Sequence, residues 1–187
     1  MKSALILVDI QNDYFDGGKS ELYLTDVAAK HAKTALEFFR KSSLPVYHIQ
    51  HINTRPNATF FLPDSEGSKI HHSVYPLTEE KIFIKHAPNS FFDTGLADEL
   101  LQKEIQHLVI CGMMSHMCID TTVRAAKDYG FTLTVLEDAC TTKDLVWNGV
   151  TIPAQTVHNT IMASLNGTFA NVIKTDDFIL EFKNTLL

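Results

Sequence analysis

Hydrophobic positions along the chain fall into two alternating kinds of segment. Short, nearly continuous apolar runs have strand length: Ala4 to Asp9, Val46 to His51, Lys81 to Lys85, His107 to Cys111, Thr132 to Leu136 and Asn171 to Lys174. Between them lie stretches with apolar residues at helical spacing: Val27 to Lys41, Leu96 to Glu104, Ser115 to Tyr129 and Pro153 to Leu165. In the first of these, Ala28, Ala32, Ala35, Phe38 and Phe39 mark one face. Strands that are apolar throughout must be covered on both faces, which is the condition of parallel strands. The pattern therefore predicts an α/β fold, a three-layer α/β/α sandwich around a mostly parallel, Rossmann-like sheet of about six strands, as one domain over residues 1–187. The longest irregular stretch, Asn53 to Glu80 with Pro56, Pro63, Gly67 and Pro76, exceeds what connection requires. It is expected to form a wall of a site or an oligomer contact.

In open α/β sheets ligands collect at the carboxyl ends of the strands. Those ends carry Asp9 after the first strand, His51 after the second, Lys85 after the third and the stretch GMMSHMC after the fourth. An acid, a lysine and a cysteine thus converge on one edge. Each has an ordinary alternative role: Lys85 as a solvated strand end, Asp9 as a turn cap in DIQND, Cys118 as a small core residue. Taken together they supply a base, a cation and a nucleophile, the set that covalent catalysis on a carbonyl carbon needs. Ser115 is a good N-cap, which places Cys118 in the first helical turn, where free N–H groups and the helix dipole favour a thiolate. Cys111, within a strand, and Cys140, beneath a loop, are expected to be inert core thiols. GMMSHMC has no Asn or Gln to donate to an oxyanion, so the main-chain N–H groups of Met114 and Cys118 are the candidates.

Composition narrows the partners. With 45% hydrophobic and 20% charged residues among 187, the chain is neither disordered nor membrane-spanning, and no signal-type segment opens it. A cytoplasmic location is expected. A net charge of -6 without a basic block offers no footprint for nucleic acid, which leaves a small molecule as partner. Three cysteines without a CxxC pair indicate neither a disulfide framework nor a zinc knuckle.

The residues resemble the isochorismatase-like cysteine hydrolases, a family that includes nicotinamidase and N-carbamoylsarcosine amidase. The likeness rests on ALILVDIQNDYF, KHAPNSFFDTGL and LVICGMMSHMCIDTTVRAAKDYGF followed by VLEDAC, in that order over most of the chain. It implies a triad of Asp9, Lys85 and Cys118 with Asp9 as general base, a thioester intermediate, hydrolysis of an amide-type C–N bond, and a cis peptide at Met113-Met114. Phe15, Phe91, Phe92 and Met113 are expected as apolar walls of the substrate site and His51 as a neutral one. Family habit and the loop NATFFLPDS suggest a homo-oligomer. The family's true isochorismatases cleave a vinyl ether without a cysteine nucleophile, so Cys118 points to C–N hydrolysis instead. Nicotinamidases carry a metal on an Asp-x-His pair and further histidines. Here YHIQHINTRP offers His48, Gln50 and His51 without that pair, and His71 and His72 are adjacent, so neither metal nor other cofactor is expected. The competing readings are an isochorismatase-type ether hydrolase, a non-catalytic α/β binding module using Gly17 and Gly18, and a redox thiol protein. The module would want a GxGxxG or Walker pattern, and the sequence has neither; the redox protein would want a resolving cysteine near Cys118.

Overall fold

The computed structural model describes residues 1–185. Its elements in chain order are β1 (Ser3–Val8), α1 (Thr25–Lys41), β2 (Val46–His51), β3 (Lys81–Lys85), α2 (Leu96–Gln102), β4 (His107–Met113), α3 (Asp120–Asp128), β5 (Thr132–Thr141), β6 (Leu145–Trp147), β7 (Val150–Ile152), α4 (Ala154–Leu165), β8 (Asn171–Ile173) and α5 (Thr175–Thr185). Six strands form one sheet in the order β3-β2-β1-β4-β5-β8, and every neighbouring pair is parallel. All six residues of β1 are buried, as a central strand covered on both faces requires.

From β1 the chain winds outward through β2 to β3, then returns to the other side of β1 and winds through β4, β5 and β8. Right-handed crossovers put α1 on one face, and α2, α3 and α4 on the other. α1 is joined by α5 through edge-on aromatic contacts, Phe38 to Phe178 at 6.2 Å and Phe38 to Phe182 at 5.5 Å between ring centres. The direction of winding reverses between β1 and β4, and such a switch point opens a crevice at the carboxyl end of the sheet. Asp9 follows one of those two strands directly and Cys118 follows the other after a short turn.

Three features depart from the sequence reading. A two-stranded antiparallel hairpin, β6 and β7, projects between β5 and α4 around Asn148-Gly149, both at positive φ (49° and 75°). Asn-Gly is the dipeptide that a two-residue hairpin turn favours. Helix α5 closes the described chain where no helix was expected. The helix over Ser115 to Tyr129 is entered through a π-helical turn, Ser115–Ile119, whose N-cap is Met114. Ser115 is therefore not the cap: its hydroxyl donates to the Thr141 carbonyl at 3.2 Å and lies 2.9 Å from His158 Nδ1.

Candidate active site

Two backbone features aim the carboxylate. Val8 pairs with Gly112 across the β1–β4 ladder, and a Cβ on Gly112 would sit 2.0 Å from the Val8 carbonyl oxygen. Gly112 also has φ +128°, a conformation open to glycine alone in practice. Only glycine allows this close approach. Asp9, next along β1, takes φ 51°, a left-handed conformation that Asp tolerates better than most residues, and its N–H donates to Ile49 O at 3.1 Å.

Lys85 ends β3, opposite His51 in the β2–β3 ladder. Two strand spacings of about 4.8 Å separate β3 from β1, so only a long side chain reaches from one to the other. Lys85 Nζ lies 2.8 Å from Asp9 Oδ2, with both side chains at 0% exposure. It also donates to the carbonyls of Ala87 and Pro88 at 3.1 Å each. Burial lowers the Lys85 pKa, but the charges of Asp9 and Cys118 outweigh it and leave the pKa raised, so the ammonium form is secure.

Cys118, buried at 5% exposure, completes the cluster. Its Sγ, an Asp9 carboxylate oxygen and a His51 ring nitrogen lie within 4.8 Å of one another. The structure corrects one expectation here: burial, aided by the Asp9 charge, pushes the thiol pKa up, and Lys85 offsets only part of it. A thiol pKa held up in this way means that an attack needs a base at the moment of reaction. Cys111 and Cys140 are also held as thiols by burial, Cys140 at about 12, and neither lies at the cluster.

A cavity of about 140 Å³ opens on Cys118. Met114, Met117 and Pro88 border it on the thiol side, and Tyr14, Phe60 and Phe61 form an aromatic wall. The Tyr14 ring meets Phe61 edge-on at 4.6 Å and Phe60 lies 5.0 Å from Phe61. His51, Asn53 and Arg55 supply the polar rim. Burial and, secondarily, Lys85 hold His51 down to about 4 against the pull of Asp9, so its ring is neutral. The Met113-Met114 peptide is cis.

Asp9, Lys85, Cys118, Met114 and His51 are thus brought together. The four expected apolar walls are not among them. Phe15 stacks on His71 at 3.5 Å between ring centres, Phe91 packs on Tyr129 and Phe131, Phe92 is 64% exposed, and Met113 is fully buried within β4. The wall comes instead from the long irregular stretch, whose Phe60 and Phe61 the sequence places in NATFF, and from Tyr14 in DIQNDYF. Two polar residues fix that wall. Asp13 accepts from Phe61 N at 2.6 Å and from Lys19 N at 3.1 Å, and Gly67 packs so tightly on this carboxylate that a Cβ would lie 2.1 Å from it. Gln11, fully buried, donates to the carbonyls of His51 and Ser68 and accepts from His51 N, which pins the end of β2.

The histidines do not form a metal centre of the nicotinamidase kind. His48 faces Glu80 at 2.9 Å, His71 bonds Ser73 and stacks on Phe15, and Gln50 donates to Ser68 O. Asp9, His51 and Cys118 do converge, but Lys85 Nζ, 2.8 Å from Asp9 and 3.4 Å from His51 Nδ1, already puts a positive charge there. This donor set does not fit a cation.

A thiol is thus set beside a buried carboxylate–ammonium pair at the switch point of a doubly wound parallel sheet. The chain belongs to the isochorismatase family: the isochorismatase domain matches residues 3–177. It is 48% identical over 179 residues to the isochorismatase family protein YddQ of Bacillus subtilis, covering 96% of this chain and 99% of that one. The E. coli nicotinamidase is 25% identical over 174 residues, covering 73% and 82%. Among solved structures, an isochorismatase hydrolase from Oleispira antarctica superposes with a TM-score of 0.92 at 46% identity, covering 96% of each chain. No helix among the described residues is long and apolar enough to cross a membrane.

Proposed function

We propose that this protein hydrolyses an amide-type C–N bond of a small molecule through a thioester on Cys118. The observation that carries the reading is the fully buried Asp9–Lys85 pair placed beside a thiol that opens on a small cavity. A buried ion pair is weak evidence for stability as such, since desolvation offsets its attraction. A role in chemistry accounts for its position at the switch point.

In this mechanism Asp9 removes the proton from Cys118 Sγ as sulfur attacks the carbonyl carbon. Lys85, paired with Asp9 at 2.8 Å, balances the charge passing through the site. The oxygen becomes an oxyanion held by the main-chain N–H groups of Met114 and Cys118, and such donors are each worth about 2.7 to 4 kcal/mol of barrier. The C–N bond breaks as Asp9 returns its proton to the departing nitrogen. A water molecule, deprotonated by Asp9, attacks the thioester carbon; the acid leaves and the sulfur recovers the proton. Asp9 therefore acts twice, and a neutral His51 at the wall leaves that proton traffic undisturbed. The resemblance to a nicotinamidase supports an amide as the bond class. The ether-cleaving alternative gives the thiol no task.

Ammonia release from a panel of small primary amides tests the reading. Release should disappear in both Cys118→Ala and Asp9→Asn, with the double variant scarcely worse than either single one, because residues acting as a unit are not additive. Turnover that persists in Cys118→Ala would refute it.

A further inference from the structure

The cavity beside Cys118 carries a net charge that the catalytic reading leaves unused. Within the cluster, Asp9 and Lys85 cancel and His51 is neutral. The acid nearest the aromatic wall, Asp13, is committed to Phe61 N and Lys19 N. What remains is Arg55 on the rim. Its charge is one of those that act on His51, so it stands close to the reacting end of the cavity. Its guanidinium takes part in none of the ion pairs or hydrogen bonds found among the described residues, unlike Arg40 and Arg124, which pair with Glu80 and Asp120. Its backbone is fixed nonetheless: Arg55 N donates to Asn53 Oδ1 at 3.3 Å, and Arg55 O accepts from Ala58 N at 3.2 Å, closing a turn. A protein of net charge -6 thus presents one unpaired cation at the mouth of its cavity.

The size of the cavity limits the ligand. Its volume of about 140 Å³ is close to the roughly 150 Å³ of an engineered apolar cavity that takes up benzene. One ring or a short chain fills it against Tyr14, Phe60 and Phe61. A guanidinium's planar fork matches a carboxylate in two parallel hydrogen bonds, which fixes orientation as well as adding affinity.

We infer that Arg55 binds a carboxylate of the substrate, so that the substrate class is a small amide carrying a carboxylate, with its apolar part on the aromatic wall. The amide half of this statement rests on the proposed hydrolysis; the carboxylate half rests on Arg55 and the cavity alone. Held at the rim by Arg55, the ligand lays its apolar part against the aromatic wall. Positioning of this kind supplies much of an enzyme's advantage over a reaction in solution.

Three ligands of one shape test the carboxylate half: benzoate, benzyl alcohol and benzylamine, titrated into the full-length protein at low ionic strength. Binding is read by calorimetry and by protection of Cys118 from iodoacetamide. Benzoate should bind about tenfold more tightly than benzyl alcohol, the scale of a charge-assisted pair at a partly exposed site. Arg55→Gln should erase that preference, Arg55→Lys should keep part of it, and Arg55→Glu should turn it toward benzylamine. Circular dichroism of each variant checks the fold, which an exposed loop residue does not support. A benzoate preference that is missing in the parent, or that survives Arg55→Gln, would overturn the inference. Acylation of Cys118 by the neutral ester p-nitrophenyl acetate is measured alongside. Its failure would count against the hydrolase, whereas failure of benzoate selectivity would count against Arg55.

Discussion

Replacing Lys85 with Met leaves a side chain of similar length and removes the charge. In the parent, Nζ sits 2.8 Å from Asp9 Oδ2 with both side chains at 0% exposure, and it satisfies two carbonyls at 3.1 Å. Neither oxygen of Asp9 has another hydrogen-bond donor aligned on it among the described residues. The variant therefore strands a buried carboxylate, and breaking a buried pair from one side costs about 3 to 5 kcal/mol. The two carbonyls, partly buried, add to this. Against a typical total stability of about 5 to 15 kcal/mol, the loss is large but need not unfold the chain. Asp9→Asn in the same background removes the stranded charge, so the double variant should recover part of the loss, with a coupling of about 2 kcal/mol. Urea unfolding followed by far-ultraviolet circular dichroism gives all four corners of the cycle without any substrate. A Lys85→Met loss below about 1 kcal/mol, or a cycle that is additive, would refute the claim that these groups depend on each other for burial.

Burial raises the Cys118 pKa, so alkylation by iodoacetamide should be slow at neutral pH and accelerate without a plateau from pH 7 to 9; a plateau near pH 6 would mean a resting thiolate. Cys111→Ala and Cys140→Ala should leave that labelling unchanged. Glu80, bonded to Arg40 and His48, is held at about 2 although burial opposes this, below its ordinary 4.5. The stability it contributes is present above pH 4.5 and is lost as pH falls toward 2, so the gap between the parent and Glu80→Gln should shrink over that window in acid-titrated unfolding. A gap that stays constant with pH would contradict it. Gly112→Ala should cost more than about 2 kcal/mol in urea unfolding, because its Cβ would meet the Val8 carbonyl and its φ is positive; a neutral effect would mean that β1 and β4 can separate.

Most of the sheet is legible in the sequence because its central strands are nearly continuous apolar runs; Asp9 and Lys85 stand where such runs stop, and Cys118 stands one turn beyond the run of β4. Edges and walls were less legible. The hairpin around Asn148-Gly149 was signalled by its turn dipeptide, yet its strands of three residues each are too short to show a period. Ser115 has the chemistry of an N-cap, but the Thr141 carbonyl and His158 claim its hydroxyl, a tertiary contact that local sequence does not report. Phe15, Phe91 and Phe92 lie within the motifs, as Tyr14 does, whereas Phe60 and Phe61 lie outside them in the irregular stretch. Which aromatics face the cavity is decided by Asp13, whose carboxylate ties the irregular stretch to the end of β1 and turns Phe61 inward. That tie spans 48 positions and leaves no mark on hydrophobic spacing. The state of the thiol is hard to read for a related reason: helix position favours a thiolate, but burial beside a carboxylate weighs more.

The central claim is that Cys118 carries the acyl group. Mixing the protein with p-nitrophenyl acetate and quenching in acid within the first turnover tests it most directly, with the product read by peptide mass spectrometry. The account predicts a burst of one p-nitrophenol per chain and an acetyl group on Cys118, both absent from Cys118→Ala and strongly slowed in Asp9→Asn. An acetyl group found on Lys85 or on another cysteine, or a burst that survives Cys118→Ala, would contradict it.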